Sequence, residues 1–138
     1  MGRRVIALLD TNILIASKSE TEPAPDLSGF DDLMVSSLSW SELIMGLHTT
    51  KSLSEYKRRA RRLGALQDTY GEGLPYDDDC IDSYNDLLER TGQRGGDAKA
   101  KKLDRMIAAT AMAHELVLVT RNMDDFKSFE GMLDLVER

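Results

Sequence analysis

The segment Val5–Leu9 (VIALL) is apolar at every position and stops abruptly at Asp10. An unbroken apolar run of this length is typical of a strand that is buried on both faces of a parallel sheet. Four further runs are strand candidates, the last of them an edge strand: Leu33–Ser37, Leu74–Tyr76, Val117–Val119 and Met132–Val136. The sequence therefore predicts a sheet built from short, buried strands.

Helical segments separate these strands. Leu53, Tyr56, Ala60, Leu63 and Leu66 recur at helical spacing, which predicts an amphipathic helix over Ser52–Asp68. Other helices are expected at Thr11–Ala16, Ser39–Leu47, around Ile81–Leu88 (ended by Gly92) and Asp104–His114, with loops at Glu20–Asp32 and Gln93–Lys102. Alternating strands and helices favour the α/β class with a parallel sheet. With 138 residues and no repeat or linker, we expect one domain over residues 1–138.

Charge and cysteine content limit the function classes. The net charge of −6 disfavours a protein that coats nucleic acid by bulk attraction. The basic start Met1–Arg4 precedes only five apolar residues, whereas a secretion signal needs roughly 7–15, so we expect a cytoplasmic protein. A lone Cys80 fits that compartment and is expected to be buried packing. His48 and His114 lie far apart in sequence without a ligand cluster, so a zinc site is not expected.

Acidic residues follow several of the predicted strands. Asp10 ends the first strand, Glu42 lies in the first turn of the helix after the second, and Asp104 opens the helix before Val117–Val119. Asn122, Asp124 and Asp125 come just after that last strand. Ligands of parallel sheets bind at the carboxyl ends of the strands, where the strand order reverses. We therefore expect these side chains to meet at one edge of the sheet.

Each acid also has a structural alternative. Ser39 and Glu42 have the spacing of a capping box, Asp10 is suited to cap the next helix, and Asp104 to complement a helix dipole. Each such effect is worth about 0.5–1 kcal/mol. Three carboxylates at one edge would repel one another, however, and a hard cation such as Mg²⁺ or Mn²⁺ relieves that repulsion. Such an ion activates water for attack on a phosphodiester. The sequence has no phosphate-binding glycine loop, which disfavours nucleotide chemistry.

Three segments together resemble a known family. LLDTNILI, SLSWSELIMGL and LDRMIAATAMAHELVLVTRNMDDF, in this order over nearly the whole chain, are similar to a PIN domain of the VapC toxin type. The resemblance implies a three-layer α/β fold with a five-stranded parallel sheet, order 3-2-1-4-5, and helices on both faces. It also implies a Mg²⁺- or Mn²⁺-dependent endoribonuclease of a type II toxin–antitoxin system, acting on transfer or ribosomal RNA. The implied partners are a cognate VapB-type antitoxin and a second copy of the chain.

The resemblance also assigns site residues. It matches Asp10 and Asp104 to the principal metal ligands and Glu42 to the third acid, and supporting roles fall to Thr11, Asn12, Thr120 and Asn122. Many members carry Asp where this chain has Asn122, which is a weaker ligand. Asp125 is the alternative for that fourth place, and Asp124 is expected to be a solvated neighbour. Occupancy by one ion or two depends on which residue serves.

Two groups of basic residues are candidates for contact with RNA, and the sequence also allows alternative functions. Arg121, Lys99, Lys101 and Lys102 are expected to meet RNA phosphates, because they lie close in sequence to proposed ligands. The run Lys57–Arg62, with five cations in six residues, is either a solvated helix face or part of an antitoxin groove. The alternative function is a noncatalytic PIN-like module that binds RNA or protein. A phosphoacceptor domain is disfavoured, because such phosphatases carry a second Asp where Asn12 stands.

Overall fold

The computed structural model describes residues 3–138, so Met1 and Gly2 of the basic start lie outside the described residues. Strands and helices alternate, as the apolar runs predict. In chain order the elements are β1 (Ile6–Leu9), α1 (Thr11–Ser17), β2 (Asp32–Val35), α2 (Ser37–Leu47), α3 (Leu53–Tyr70), α4 (Asp78–Gln93), α5 (Lys102–Ala113), β3 (Val117–Thr120), a 3-10 helix (Met123–Phe129) and β4 (Leu135–Glu137).

The strands form one parallel sheet in the order β2-β1-β3-β4. This confirms the predicted class and relative order, but the sheet has four strands over residues 3–138 rather than five. The predicted strand Leu74–Tyr76 is reduced to one bridge beside β2, in which the N–H of Leu74 donates to the carbonyl of Val35 at 2.7 Å. The pairing stops there because the chain turns into α2 at Ser37. The last strand begins at Leu135 rather than at Met132, because the unpredicted 3-10 helix and its following turn occupy the preceding segment.

Both faces of the sheet are buried, which explains the unbroken apolar run of β1. Leu8 and Leu118 belong to a core on the side of α4, α5 and the 3-10 helix, which supplies Phe126 and Phe129. Ala7, Leu9 and Val119 belong to a second core with residues of α1, α2 and α3. Alternate residues of one strand therefore serve opposite layers, as the period of two requires. The result is a three-layer α/β/α arrangement.

A membrane span would need a helix that is both long and strongly apolar. Within residues 3–138, none of the helices meets both conditions.

Candidate active site

Asp10 lies at the carboxyl end of β1, where the strand order reverses between β1 and β3. Its backbone N–H donates to the carbonyl of Val119 at 2.9 Å, which continues the sheet pairing by one step. The hydroxyl of Thr120 donates to Asp10 Oδ2 at 2.8 Å, and the N–H of Thr11 donates to Oδ1 at 2.9 Å. Asp10 therefore caps α1, as the structural alternative for this residue predicted. Thr120 of the neighbouring strand also holds its carboxylate at the end of the sheet where ligands of parallel sheets bind.

The carboxylate of Asp10 is poorly solvated, since the residue is only 4% exposed. Burial raises its pKa from 3.8 to about 6, against the hydrogen bonds from Thr120 and Thr11, which favour the ionised form. The negative charges of Asp104 and Glu42 contribute to this raised pKa of Asp10. Three acids from distant parts of the chain thus lie close enough to repel one another.

Glu42 is not part of a capping box. The N-cap of α2 is Ser36, whose hydroxyl accepts from the N–H of Leu38 at 3.1 Å, so Glu42 is the sixth residue of the helix rather than the third. The capping alternative and the placement of Glu42 in the first turn are therefore wrong. Ser39, expected to be the cap, is buried and shares a 2.9 Å hydrogen bond with the hydroxyl of Thr11. That bond joins α2 to α1 and holds Glu42 in register with Asp10.

Asp104 is half-buried in the first turn of α5. Its negative charge therefore interacts favourably with the dipole of that helix, as the structural alternative predicted. Burial raises the pKa of Asp104, the charges of Glu42 and Asp125 raise it further, and Lys101 opposes them. Lys101 precedes the helix in a left-handed conformation (φ 50°, ψ 41°), which is uncommon for a residue with a side chain. Its ammonium group forms an ion pair with Asp125.

The three acids open into one cleft of about 560 Å³, which is also lined by Asn12 and Asn122 and is called the acid cleft below. Asn12 Oδ1 is buried and has no hydrogen-bond partner within residues 3–138. A buried carbonyl oxygen without a partner is unfavourable by roughly 1–3 kcal/mol, so its position favours an external donor or cation. Carboxylate and amide oxygens form the donor set that a hard divalent cation prefers. The residues present therefore fit a metal ion of that kind.

Asn122 and Asp125, the candidates for the fourth ligand place, take different positions. Asn122 lines the acid cleft, and its backbone N–H donates to the Thr120 hydroxyl at 3.0 Å. Asp125 lines a neighbouring cleft and is paired with Lys101, although its charge still reaches Asp104. Asp124 is exposed and forms an ion pair with Lys127 at 2.8 Å, as expected for a solvated neighbour.

The cations expected to meet RNA lie outside the acid cleft. Arg121 is paired with Glu22 at 3.5 Å and donates to the carbonyl of Pro23 at 2.7 Å. Lys99 and Lys102 are exposed in and beside the loop before α5, and Lys101 is engaged by Asp125. Three arginines of α3 line the acid cleft instead: Arg58, Arg59 and Arg62. The run Lys57–Arg62 thus contributes to the lining of the acid cleft, although its only signal in the sequence is the density of cations, and the RNA contacts of Arg121, Lys99, Lys101 and Lys102 stay a prediction.

A second group of potential metal ligands lies at the other end of α5. Asp77, Cys80 and His114 place one ligand atom each within 4.8 Å of one another, which their sequence spacing did not suggest. Asp77 caps α4 by accepting from the N–H of Cys80, and its Oδ2 lies 3.4 Å from His114 Nε2. Cys80 is fully buried, as predicted, and burial raises the pKa of its thiol. Helix capping accounts for the position of Asp77, whereas the buried Nε2 of His114 has no hydrogen-bond partner within residues 3–138.

Comparisons with known proteins agree on one family. A family model described as the PIN domain matches residues 7–131. The chain is 30% identical over 131 residues to VapC ribonuclease Y4jK of Sinorhizobium fredii. The match covers 88% of this chain and 90% of that protein. The structure is similar to that of VapBC-5 from Mycobacterium tuberculosis, described as a member of the VapBC family of toxin–antitoxin systems, with a TM-score of 0.75, 25% identity and coverage of 96% and 97% of the two chains. It also has the fold of a chain in VapBC2 from Rickettsia felis bound to a promoter DNA fragment, with a TM-score of 0.79, 24% identity and coverage of 97% and 99%.

Proposed function

The chain belongs to the PIN domain family and, within it, to the VapC ribonucleases, and from this membership we propose that it is the toxin of a type II toxin–antitoxin pair. As a toxin it would act as a Mg²⁺- or Mn²⁺-dependent endoribonuclease. The observation that carries the proposal is the meeting of Asp10, Glu42 and Asp104 in one cleft, with charges that raise the pKa of Asp10. A chain that only bound RNA or protein would gain nothing from keeping these mutually repelling acids together.

Asp10, Asp104 and Glu42 would hold the cation, with Asn122 or Asp125 as a further ligand. When bound, the ion supplies Lewis-acid chemistry: it favours deprotonation of water and offsets negative charge that develops on a phosphodiester. Thr120 and the N–H of Thr11 keep the Asp10 carboxylate in one orientation, and the Thr11–Ser39 bond keeps α2 and Glu42 in place. Asn122 in turn orients the Thr120 hydroxyl by donating its N–H to it. These contacts preorganise the acids before any ligand arrives.

The substrate in this proposal is RNA, either a transfer RNA or a ribosomal RNA loop, cut at few positions. The relatives named VapBC are toxin–antitoxin systems, so we extend the partner proposal to a cognate VapB-type antitoxin. Ile44 and Met45 of α2 and Leu53 and Tyr56 of α3 are exposed apolar side chains that an antitoxin or a second copy in a homodimer would cover. Such a toxin would act in the cytoplasm, where its RNA is found.

Metal-dependent cleavage by Asp10→Asn and Asp104→Asn variants tests the proposal. Each variant should fold and lose more than about 100-fold in the rate of RNA cleavage, because even outer contacts of a metal site are worth about 10–100-fold. Asp86→Asn is the matched control, since Asp86 is an exposed acid of α4 remote from the cleft. Cleavage ends should be mapped across total RNA in Mg²⁺, in Mn²⁺ and in EDTA. Full activity in either ligand variant would refute the assignment, and RNA binding without cleavage at any Mn²⁺ concentration would favour the noncatalytic alternative.

A further inference from the structure

We propose that Arg58 and Arg62 of α3 bind the backbone phosphates of the RNA and lead the strand out of the acid cleft. This inference rests on the proposed nuclease function and adds the path of its substrate. Both arginines line the acid cleft, and both also line a second cleft of about 500 Å³, which we call the outer cleft. The two clefts share Ile15 as well, so they form one continuous surface along α3.

Arg58 and Arg62 present their cations on one side of the helix. Residues four apart lie one above the other on a helix surface, about 6 Å apart along its axis. The guanidinium group is planar and always charged, and its fork of donors matches the two oxygens of a phosphate. Two such groups one turn apart can therefore hold neighbouring phosphates of a single strand.

The charges of these two arginines are only partly compensated within residues 3–138, since the carboxylate of Glu22 acts on Arg62. Arg59, the third arginine of the acid cleft, is engaged: it pairs with Glu55 at 2.6 Å and donates to the carbonyl of Gly46 at 2.8 Å. Arg58 and Arg62 form no ion pair and no side-chain hydrogen bond with any described residue. The half-buried Arg62 also has a lowered pKa, because of its burial first and then the positive charges of Arg59 and Arg58. Like charges held this close are unfavourable unless an anion joins them.

The arginines do not serve to neutralise the acids of the cleft. Neither Arg58 nor Arg62 lies within 4.0 Å of a carboxylate oxygen of Asp10, Glu42 or Asp104, although all five line the same cavity. The acids repel a phosphate, so the cleft needs separate cations to retain RNA. The outer cleft continues the basic surface with Arg61 and Lys18, although Glu20 and Glu22 also line it. Arg58 and Arg62, which line both clefts, therefore lie where the two clefts join.

The first experiment measures RNA affinity with no chemistry involved. Fluorescence anisotropy with a single-stranded RNA oligonucleotide is followed against KCl concentration for Arg58→Gln, Arg62→Gln and the double variant, all in an Asp104→Asn background. Each lost phosphate contact should lower the slope of log affinity against log salt by about 0.7, so the double variant should lose about 1.4. We expect its affinity to fall about 10- to 100-fold at low salt. Lys57→Gln is the matched control: it removes one exposed cation from the same helix but lines neither cleft, and should leave the slope unchanged.

The second experiment separates this inference from the proposed function. With Asp104 restored, the double variant should raise KM for a long RNA by a larger factor than it lowers kcat on the same RNA. An unchanged salt slope in the double variant, or an equal loss in Lys57→Gln, would overturn the phosphate path even if Asp10→Asn abolished cleavage. Retained cleavage in Asp10→Asn would overturn the nuclease site but not the salt result. Loss of binding to an acidic peptide with RNA binding intact would assign the arginines to a protein partner and also overturn the inference.

Discussion

Replacing Asp10 with Asn should make the metal-free protein more stable while destroying its activity. The folded state holds the Asp10 proton more tightly than the unfolded chain does, with a pKa of about 6 against 3.8. The stabilising contribution of this group is therefore complete below about pH 3.8 and is lost as the pH rises through about 6. At about 1.36 kcal/mol per pKa unit, the ionised carboxylate lowers the free energy of unfolding by roughly 3 kcal/mol at pH 7.5.

Asparagine removes the charge and keeps most of the contacts. Its side-chain oxygen can still accept from the N–H of Thr11, and Asn is as favourable an N-cap as Asp. The hydrogen bond from Thr120 to the carboxylate is weakened, which is worth roughly 1 kcal/mol. The net gain in the free energy of unfolding is therefore about 2 kcal/mol, or roughly 6 °C in Tm for a chain of this size.

Urea unfolding in EDTA at pH 7.5 and at pH 4.5 measures this effect. At pH 4.5 most of the folded wild-type protein carries a protonated Asp10, so the advantage of the variant should fall close to zero. Asp86→Asn should show no difference at either pH, and Mg²⁺ should stabilise the wild type but not Asp10→Asn. A variant that is less stable than the wild type at pH 7.5 in EDTA, or an advantage that does not depend on pH, would refute the argument from burial of charge.

Three further substitutions test the scaffold of the protein. Thr120→Val removes the donor to Asp10 and the acceptor for the N–H of Asn122, and we expect about a 10- to 100-fold loss in the rate of cleavage with a small change in fold, checked by circular dichroism. Gly64→Ala, in the interior of α3 with open space at its Cβ position, should add about 0.5–1 kcal/mol to the free energy of unfolding. Gly73→Ala should instead lower it by more than about 1 kcal/mol, since its Cβ would lie 2.6 Å from the backbone N of Ser37; similar urea midpoints for the two variants would contradict this contrast.

The fold could be predicted where a strand is buried on both faces. Ile6–Leu9 and Val117–Val119 are apolar throughout because each residue faces one of two cores, and both runs form central strands, whereas Val5 precedes β1 and is exposed. Leu74–Tyr76 differs from these runs because Pro75 has no backbone N–H to donate to a sheet, and the length of a strand also depends on its neighbour. Here β2 ends as α2 begins, so only Leu74 finds a partner. The strand is therefore limited both by its tertiary pairing and by Pro75 in the segment itself.

The assembly of the acids followed from topology, whereas the local role of Glu42 did not follow from spacing. The rule for carboxyl ends of parallel strands brings Asp10, Glu42 and Asp104 together whatever the exact helix boundaries are. The capping alternative depended on the first residue of α2 and failed when Ser36 proved to be the cap. A Ser three residues before a Glu is common on helices for other reasons, and here the two side chains serve the interior and the cleft.

The positions of the basic residues relative to Asp104 show why distance along the chain is a poor guide to distance in space. Lys101 is three residues from Asp104, yet its ammonium is engaged by Asp125. Arg58 and Arg62 are more than 40 residues from Asp104, but Leu63 and Leu66 anchor α3 in the core on that side of the sheet, and Arg59 ties it to Gly46 of α2. With the apolar face of α3 fixed in this way, the helical period places Arg58 and Arg62 on the side of the helix that lines the acid cleft. The apolar residues of α3 thus determine where its arginines lie, so the positions of Arg58 and Arg62 depend on the packing of the core beneath the helix.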